Sequence, residues 1–161
     1  MEGGDAKTLA QQFFNLAYNC HLEGDIPTAV ELYQKSLEIY PSSEAYAFLG
    51  WALSFSGQYE EAIELCKHAI ELDPDFGNPW NDIGAYLIEL GKYEEAIPYL
   101  EQATESPKYD SYCYPFYNLG RVYLNLGQLY KARMCLERSK EANPEFVPAL
   151  ETLEELKYKV N

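Results

Sequence analysis

The residues that could carry out chemistry in this chain are few, and their spacing favours no common reaction. Cys20 and His21 are the one thiol and imidazole that lie side by side in sequence. Adjacent residues point to different sides of a helix, so a nucleophile–base couple is not expected there. The acidic pairs 60–61 and 94–95 could act as acid and base. Because they occupy equivalent places 34 residues apart, we interpret them as solvated outer helix faces.

Metal and cofactor chemistry is not predicted either. The four cysteines form no CxxC pair and the chain has two histidines, which disfavours a zinc site. Free thiols are typical of a reducing compartment, so we predict a cytoplasmic protein. The sequence has no GxSxG, HExxH, phosphate-loop or GxGxxG motif. We therefore predict a protein that is not an enzyme, with no catalytic residue, cofactor or metal. The cysteines are Cys20, Cys66, Cys113 and Cys135.

Composition and charge narrow the class of partner. The chain has 161 residues, of which 47% are hydrophobic, so it can bury a substantial core. Its net charge of −14 argues against nucleic acid, whose phosphates require Lys and Arg. No apolar run is long enough to span a membrane, and no secretory or lipidation signal is expected at the N-terminus. A protein or peptide partner is the remaining class.

A repeated segment organises most of the sequence. The stretch WNDIGAYLIELGKYEEAIPYLEQA begins at Trp80, and YAFLGWALSFSGQYEEAIELCKHA begins 34 residues earlier at Tyr46. Weaker copies in the same phase begin at Phe13 and Phe116. Each copy reads as a helix, a short turn and a second helix. A fixed period of this length indicates a repeat array.

The small residues of the repeat predict how its two helices meet. Glycine within a helix is unfavourable by about 1 kcal/mol relative to alanine, so Gly84 needs a packing reason. We predict that it lets the two antiparallel helices of its repeat approach closely. A second set of glycines should end each first helix in a left-handed conformation: Gly24, Gly57, Gly91 and Gly127. An apolar position one residue before Gly84 should lie on the packing stripe of the first helices: Leu16, Leu49, Ile83 and Leu119.

These residues resemble the tetratricopeptide repeat family, whose pattern appears in Trp80, Ile83, Gly84, Leu87 and Ala96. The resemblance implies an all-α fold, a right-handed superhelical solenoid of four helix-turn-helix repeats plus a C-terminal capping helix. The repeats are predicted at 10–42, 43–76, 77–112 and 113–146, with the capping helix at 147–159, all within a single domain of residues 1–161. Between the third and fourth repeats, two residues are added around SPKYDSYCYPF.

The resemblance also implies a peptide-binding groove lined by the first helices. Its first half is aromatic and its second half polar. Phe14, Phe48 and Phe55 could be either core or surface, whereas Tyr18 and Trp51 are favoured as surface residues. The predicted groove residues are Asn15, Tyr18, Phe48, Trp51, Phe55, Asp82, Glu89, Tyr117, Asn118 and Arg121.

The predicted function is a protein-interaction scaffold or adaptor that holds a peptide segment of a partner. Family members that bind heat-shock chaperones grip a carboxylate with Lys and Arg, and this chain lacks cations at the matching places, so that function is disfavoured. The expected ligand has apolar or aromatic anchors and a basic residue that pairs with Asp82 or Glu89. Arg121 either contacts the ligand or, as we favour, is bridged by Asp82. The alternative is a self-assembling structural protein, a homo-oligomer joined through its exposed aromatic residues.

Overall fold

The structure is a computed structural model that describes residues 3–159. Within this range it is all-α, and outside the helices there is one isolated bridge between Phe76 and Lys108. The helices are α1 (Gly3–Leu22), α2 (Ile26–Ile39), α3 (Ser43–Ser54), α4 (Tyr59–Leu72), α5 (Gly77–Glu89), α6 (Tyr93–Glu105), α7 (Cys113–Asn125), α8 (Leu129–Ala142) and α9 (Val147–Lys159).

Glycine ends the first helix of each pair, as the sequence predicts. Gly24, Gly57, Gly91 and Gly127 have φ values of 85°, 74°, 72° and 72°, a left-handed conformation that a Cβ would disfavour. At the first of these turns, Asp25 then caps α2, because its Oδ1 accepts a hydrogen bond of 3.3 Å from the Thr28 amide. Each pair is thus closed within a few residues.

Close approach of paired helices explains the glycines inside α3, α5 and α7. A Cβ built on Gly84 would overlap the side chain of Leu100, which is fully buried on α6. On Gly120 it would lie 2.7 Å from Leu136 Cγ, and on Gly50 3.0 Å from the Ala62 carbonyl oxygen. The prediction that Gly84 sits at a helix–helix contact is confirmed.

The chain divides into two compact units, Met1–Pro74 with α1–α4 (unit 1) and Asp75–Asn161 with α5–α9 (unit 2). The core of unit 1 surrounds Tyr33, which is fully buried among residues of α1, α2 and α3. A buried serine ties α2 to α1, since Ser36 Oγ donates to the Ala10 carbonyl at 2.8 Å. In unit 2, Ser139 Oγ donates in the same way to the Cys113 carbonyl at 2.7 Å. The predicted single domain stays a prediction.

The packing stripe predicted for the first helices is wrong at Leu16. Leu49, Ile83 and Leu119 are buried, whereas Leu16 is 53% exposed. The reason is visible at Leu49, which packs in the core cluster against residues of α1 and α2, the pair that precedes it. No described helix precedes α1, so nothing of that kind covers Leu16.

The added residues between α6 and α7 fold back onto the start of α5. The Gly77 amide donates to the Lys108 carbonyl at 3.2 Å, and Tyr109 packs so closely that a Cβ on Gly77 would overlap its side chain. Tyr112 Oη donates to the Ser106 carbonyl at 2.7 Å and closes the loop. The insertion therefore builds a covering for one end of α5.

The last helix of unit 2 covers an apolar surface. Leu153 and Leu156 of α9 pack with Leu136 of α8, and Phe146 stacks edge-on against Tyr114 and Tyr117 at 5.0 and 5.4 Å between ring centroids. Tyr117, a predicted groove residue, is therefore half-buried in this contact.

Candidate protein-interaction surfaces

The first candidate surface is formed in unit 1 by rings from α1 and α3, with Phe55 directly after α3. We call this set the aromatic surface: Phe14, Tyr18, His21, Phe48, Trp51 and Phe55. Their ring centroids form a continuous series, with Phe14 5.3 Å from Phe48, Phe48 5.8 Å from Trp51, and Trp51 5.8 Å from Phe55. Spacings of three and four residues bring these side chains to one side of each helix.

Within this surface, the rings differ in how far they reach solvent. Phe55 is 61% exposed and Tyr18 is 37% exposed. Phe14 and Phe48 are half-buried against the core of unit 1. Of the alternatives left open by the sequence, Phe14 and Phe48 are therefore mainly core contacts, and Phe55 is a surface residue.

Trp51 and His21 form the base of the aromatic surface. Their rings are 3.9 Å apart at an angle of 34°, and His21 also meets Phe55 edge-on at 5.3 Å. His21 is only 5% exposed, and its Nδ1 lies 3.3 Å from Tyr33 Oη. Its Nε2 is buried and has no hydrogen-bond partner in the part of the chain that the structure describes. Burial disfavours the charged ring and lowers the pKa of His21 below 6.5.

His21 occupies a groove position of the first repeat in the family pattern, three residues after Tyr18, but the final set of predicted binding residues did not include it. Trp51 differs from the sequence interpretation in the other direction, because it is half-buried on His21 and less of a surface residue than Phe55. Asn15 is exposed, and its Oδ1 accepts a hydrogen bond of 3.1 Å from Gln11 on the same helix.

The second candidate surface lies in unit 2 and is a series of hydrogen bonds between α5 and α7. We call it the polar relay: Glu89, Arg121, Asn118, Asn81 and Asp82. Arg121 Nη2 donates to Glu89 Oε1 at 2.8 Å and Nη1 donates to Asn118 Oδ1 at 3.3 Å. Asn118 Nδ2 donates to Asn81 Oδ1 at 3.0 Å, and the Asn81 side chain hydrogen-bonds to Asp82. Along this series Arg121 donates to Asn118 and Asn118 donates to Asn81, so both hydrogen bonds point toward the Asp82 end of the relay.

Asp82 was the predicted partner of Arg121, and this prediction is wrong. In the polar relay Arg121 pairs with Glu89. These two acids are seven residues apart on α5, about 10 Å along the helix, so one guanidinium does not bridge both. Asn118 is buried and joined to Asn81, so it is not a free hydrogen-bonding group at the surface. Sequence reasoning missed Asn81 as the link between Asn118 and Asp82.

Asp82 is the acid of the relay that has no basic partner among the described residues. Burial raises its pKa to about 7, and the hydrogen bond from Asn81 opposes that rise. Tyr109 lies near enough for the charge of Asp82 to help raise the pKa of its phenol, after the larger effect of burial. The surroundings of Asp82 therefore favour neutralisation of its carboxylate, either by a proton or by a cation of a ligand.

The described residues also bear on metal and membrane binding. Residues 3–159 contain no group of three or more His, Cys, Asp or Glu side chains placed to hold a metal ion. None of the helices in that range combines the length and apolar character that crossing a bilayer requires.

Comparison with known proteins agrees with the repeat. Three family profiles described as tetratricopeptide repeat match residues 15–75, 65–97 and 87–156. Small glutamine-rich tetratricopeptide repeat-containing protein 2 of Mycosarcoma maydis is 36% identical over 83 residues, which are 50% of this chain and 23% of that protein. The type IV pilus assembly protein PilF of Pseudomonas aeruginosa is 32% identical over 111 residues, 68% of this chain and 44% of that protein. The chain thus spans less than half the length of these relatives.

Solved structures show the same fold. The structure of Pseudomonas aeruginosa PilF matches with a TM-score of 0.90 and 26% identity, covering 96% of this chain and 70% of that one. The first repeat domain of Spaghetti (RPAP3), solved with an HSP90 peptide, matches with a TM-score of 0.68 and 20% identity, covering 74% of this chain and 93% of that one. The predicted fold class, an all-α solenoid of helix-turn-helix repeats, is confirmed. The chain belongs to the tetratricopeptide repeat family.

Proposed function

We propose that this protein is an interaction scaffold and that the aromatic surface of unit 1 binds a peptide segment of a partner protein. The observation that carries the proposal is the exposed Phe55 beside the stack of half-buried Trp51 on buried His21. A large exposed ring on a rigid aromatic base can bury apolar area without first having to become ordered. Aromatic residues of this kind dominate the binding energy of many interfaces.

The proposed ligand has an apolar or aromatic anchor and, for the surface in unit 2, a basic side chain. The anchor would pack against Phe55 and Tyr18. Glu89 is already paired with Arg121, so the basic side chain is proposed to meet Asp82. We propose these two contacts separately, one for each unit.

Support from relatives is of a general kind. The Spaghetti (RPAP3) domain was solved with a peptide bound, so a member of this fold does bind peptides. The cations with which chaperone-binding members hold a carboxylate are missing at the matching positions of this sequence, which instead include Phe14, Tyr18 and Phe48. The proposed ligand is therefore recognised by apolar anchors.

Selection from a displayed random-peptide library, with the intact protein as bait, tests the proposal. Selected peptides should share an aromatic or large apolar residue. Phe55→Ala should weaken their binding at least tenfold, which corresponds to about 1.4 kcal/mol. Leu72→Ala is the matched control, because Leu72 is also exposed in unit 1 but belongs to the end of α4. Trp51→Ala is less suitable, since Trp51 also packs on His21.

Equal affinity of the selected peptides for the parent and for Phe55→Ala would refute the aromatic surface as their site. Sedimentation velocity of the protein alone provides the other check. If Phe55→Ala abolishes a dimer of the parent, the surface binds a second copy, which is the self-assembling alternative.

Two further parts of the proposal concern location and chemistry. We propose a cytoplasmic location, supported by four cysteines that form no disulfide. We also propose that the protein binds partners without catalysing a reaction on them, as expected for a family that acts through surfaces. Fractionation of the cells that produce the protein would test the location.

A further inference from the structure

An apolar groove lies in unit 2, between α8 and α9. It encloses about 300 Å³ and is lined by four apolar or aromatic residues and two basic ones, Arg133 and Lys157. Leu153 and Leu156 form its buried floor, while Tyr130 of α8 is largely exposed at its edge. We call it the α8–α9 groove: Leu129, Tyr130, Arg133, Leu153, Leu156 and Lys157.

The charges at this groove are basic and only partly neutralised. Among residues 3–159, Arg133 has neither an ion pair nor a hydrogen bond. Lys157 pairs with Glu154 at 2.6 Å, and the charge of Arg133 is close enough to act against the protonated form of Lys157. Arg133 also lines an adjacent cavity of about 420 Å³, where Tyr130 and the exposed Met134 provide further apolar surface. Arg133, which has no ion pair among the described residues, therefore lies between the α8–α9 groove and a second cavity that Glu137, Arg138 and Glu141 also line.

This local charge contrasts with the rest of the chain. Residues 129–159 contain six Lys or Arg and six Asp or Glu, so their net charge is zero. Residues 1–128 contain six basic and twenty acidic residues, and so carry the whole net charge of −14. At physiological salt the Debye length is about 8 Å, so an approaching ligand responds mainly to the charges nearest to it.

We propose that the α8–α9 groove binds an acidic segment of a partner protein, in which a large apolar side chain is flanked by carboxylates. The apolar side chain would occupy the cavity above Leu153 and Leu156. A carboxylate would pair with Arg133, whose planar guanidinium can donate two parallel hydrogen bonds. This site is separate from the aromatic surface of unit 1 and uses the opposite ligand charge from that expected at Asp82.

The probe is the acetylated and amidated pentapeptide Glu-Glu-Phe-Glu-Glu, titrated into the ¹⁵N-labelled full chain and followed by NMR. Two control peptides replace every Glu by Gln, or the Phe by Ala. The acidic Phe peptide should shift the amide signals of α8 and α9, and both control peptides should bind at least tenfold more weakly. Raising the salt from 50 to 500 mM should weaken binding of the acidic peptide and leave the Gln peptide unchanged.

Arg133→Glu should lower the affinity at least tenfold, and Arg133→Gln should lower it by less. Arg133 is exposed, so circular dichroism should show unchanged helicity for both variants. Lys92→Glu is the matched charge control, since Lys92 is an exposed cation of unit 2 outside the groove, and it should bind the peptide like the parent.

Four results would overturn the proposal. The first is binding that survives Arg133→Glu, and the second is a set of signal shifts confined to unit 1. The third is no binding at millimolar peptide, and the fourth is a dimer of the protein alone that Arg133→Glu abolishes. The last result would mean that a second copy occupies the groove. Phe55 is intact in all of these variants, so each result leaves the proposed function of unit 1 to its own test.

Discussion

The contact between Gly84 and Leu100 allows a test in which two physical effects oppose each other. Replacing a glycine inside a helix by alanine normally stabilises the helix by about 1 kcal/mol. At Gly84 the added methyl group would overlap the side chain of Leu100, which is fully buried. Overpacking of this kind destabilises by about 1–3 kcal/mol. Gly84→Ala should therefore lower the free energy of unfolding by about 0–2 kcal/mol, and Gly84→Leu by more.

Removing the obstructing side chain should reverse the sign. Leu100→Ala by itself should destabilise by about 2–5 kcal/mol, because it leaves a cavity. In that background the methyl group of Gly84→Ala has room, so the alanine should now stabilise by about 1 kcal/mol. The double-mutant cycle should thus give a coupling energy of about 1–3 kcal/mol between the two positions.

The assay is denaturant unfolding followed by circular dichroism at 222 nm, with thermal unfolding as a check. For a chain of this length, about 1 kcal/mol corresponds to a shift in Tm of about 2–4 °C. Gly50→Ala is the control, since a methyl group there would meet its nearest neighbour at 3.0 Å without overlapping a side chain, and it should destabilise least. If Gly84→Ala stabilises the protein by about 1 kcal/mol in both backgrounds, the packing explanation of this glycine is wrong.

Three further predictions concern buried groups. Burial lowers the pKa of His21, so the unfolded chain takes up the proton first and stability should fall as the pH drops below 6.5. Denaturation curves between pH 7.5 and 5.5 should show that His21→Gln removes this fall. Asp82 should act in the opposite sense, because folding raises its pKa from 3.8 to about 7. Stability should therefore decrease as the pH rises from about 4 to 7. Asp82→Asn should lack that decrease and should be more stable than the parent at pH 7. Leu153→Ala should lower the free energy of unfolding by about 2–5 kcal/mol, since Leu153 packs α9 onto Leu136. Tyr158 is 78% exposed on the same helix, so Tyr158→Ala should change it by less than about 0.5 kcal/mol. Equal losses in the two variants would contradict the packing of α9.

The repeated features of the fold could be predicted because each is imposed several times by the same local requirement. A left-handed turn residue recurs at Gly24, Gly57, Gly91 and Gly127, and each has a positive φ. A small residue must face a large one wherever two helices of a pair meet, so Gly84 implies a neighbour such as Leu100. Both requirements act within about 20 residues of sequence, where the repeat period fixes which residues face each other.

Features that depend on the surroundings of a repeat could not be predicted in the same way. Leu16 has the sequence of a buried position, but its burial requires a preceding helix pair, and no described helix supplies it. Two acids on α5, Asp82 and Glu89, were possible partners for Arg121 on α7. Which of them pairs with Arg121 depends on distances between the two helices, and the spacing in sequence does not give these distances. Both errors arise where a side chain meets a different repeat.

The candidate binding sites are also features that the repeat pattern does not predict, and there is a physical reason for this. Residues that define the repeat are occupied by contacts within it, as Leu100 is with Gly84, so they have little surface left for a partner. Phe55, Asp82 and Arg133 are each of a residue type that none of the other three copies carries at the same position. Each retains an exposed ring or a charge without an ion-pair partner among the described residues. A substitution at such a position changes little in the helix pairing but alters what the surface can bind. Partner choice in this chain should therefore depend on residues that the repeat pattern leaves free, and the repeat pattern alone should predict stability better than it predicts binding.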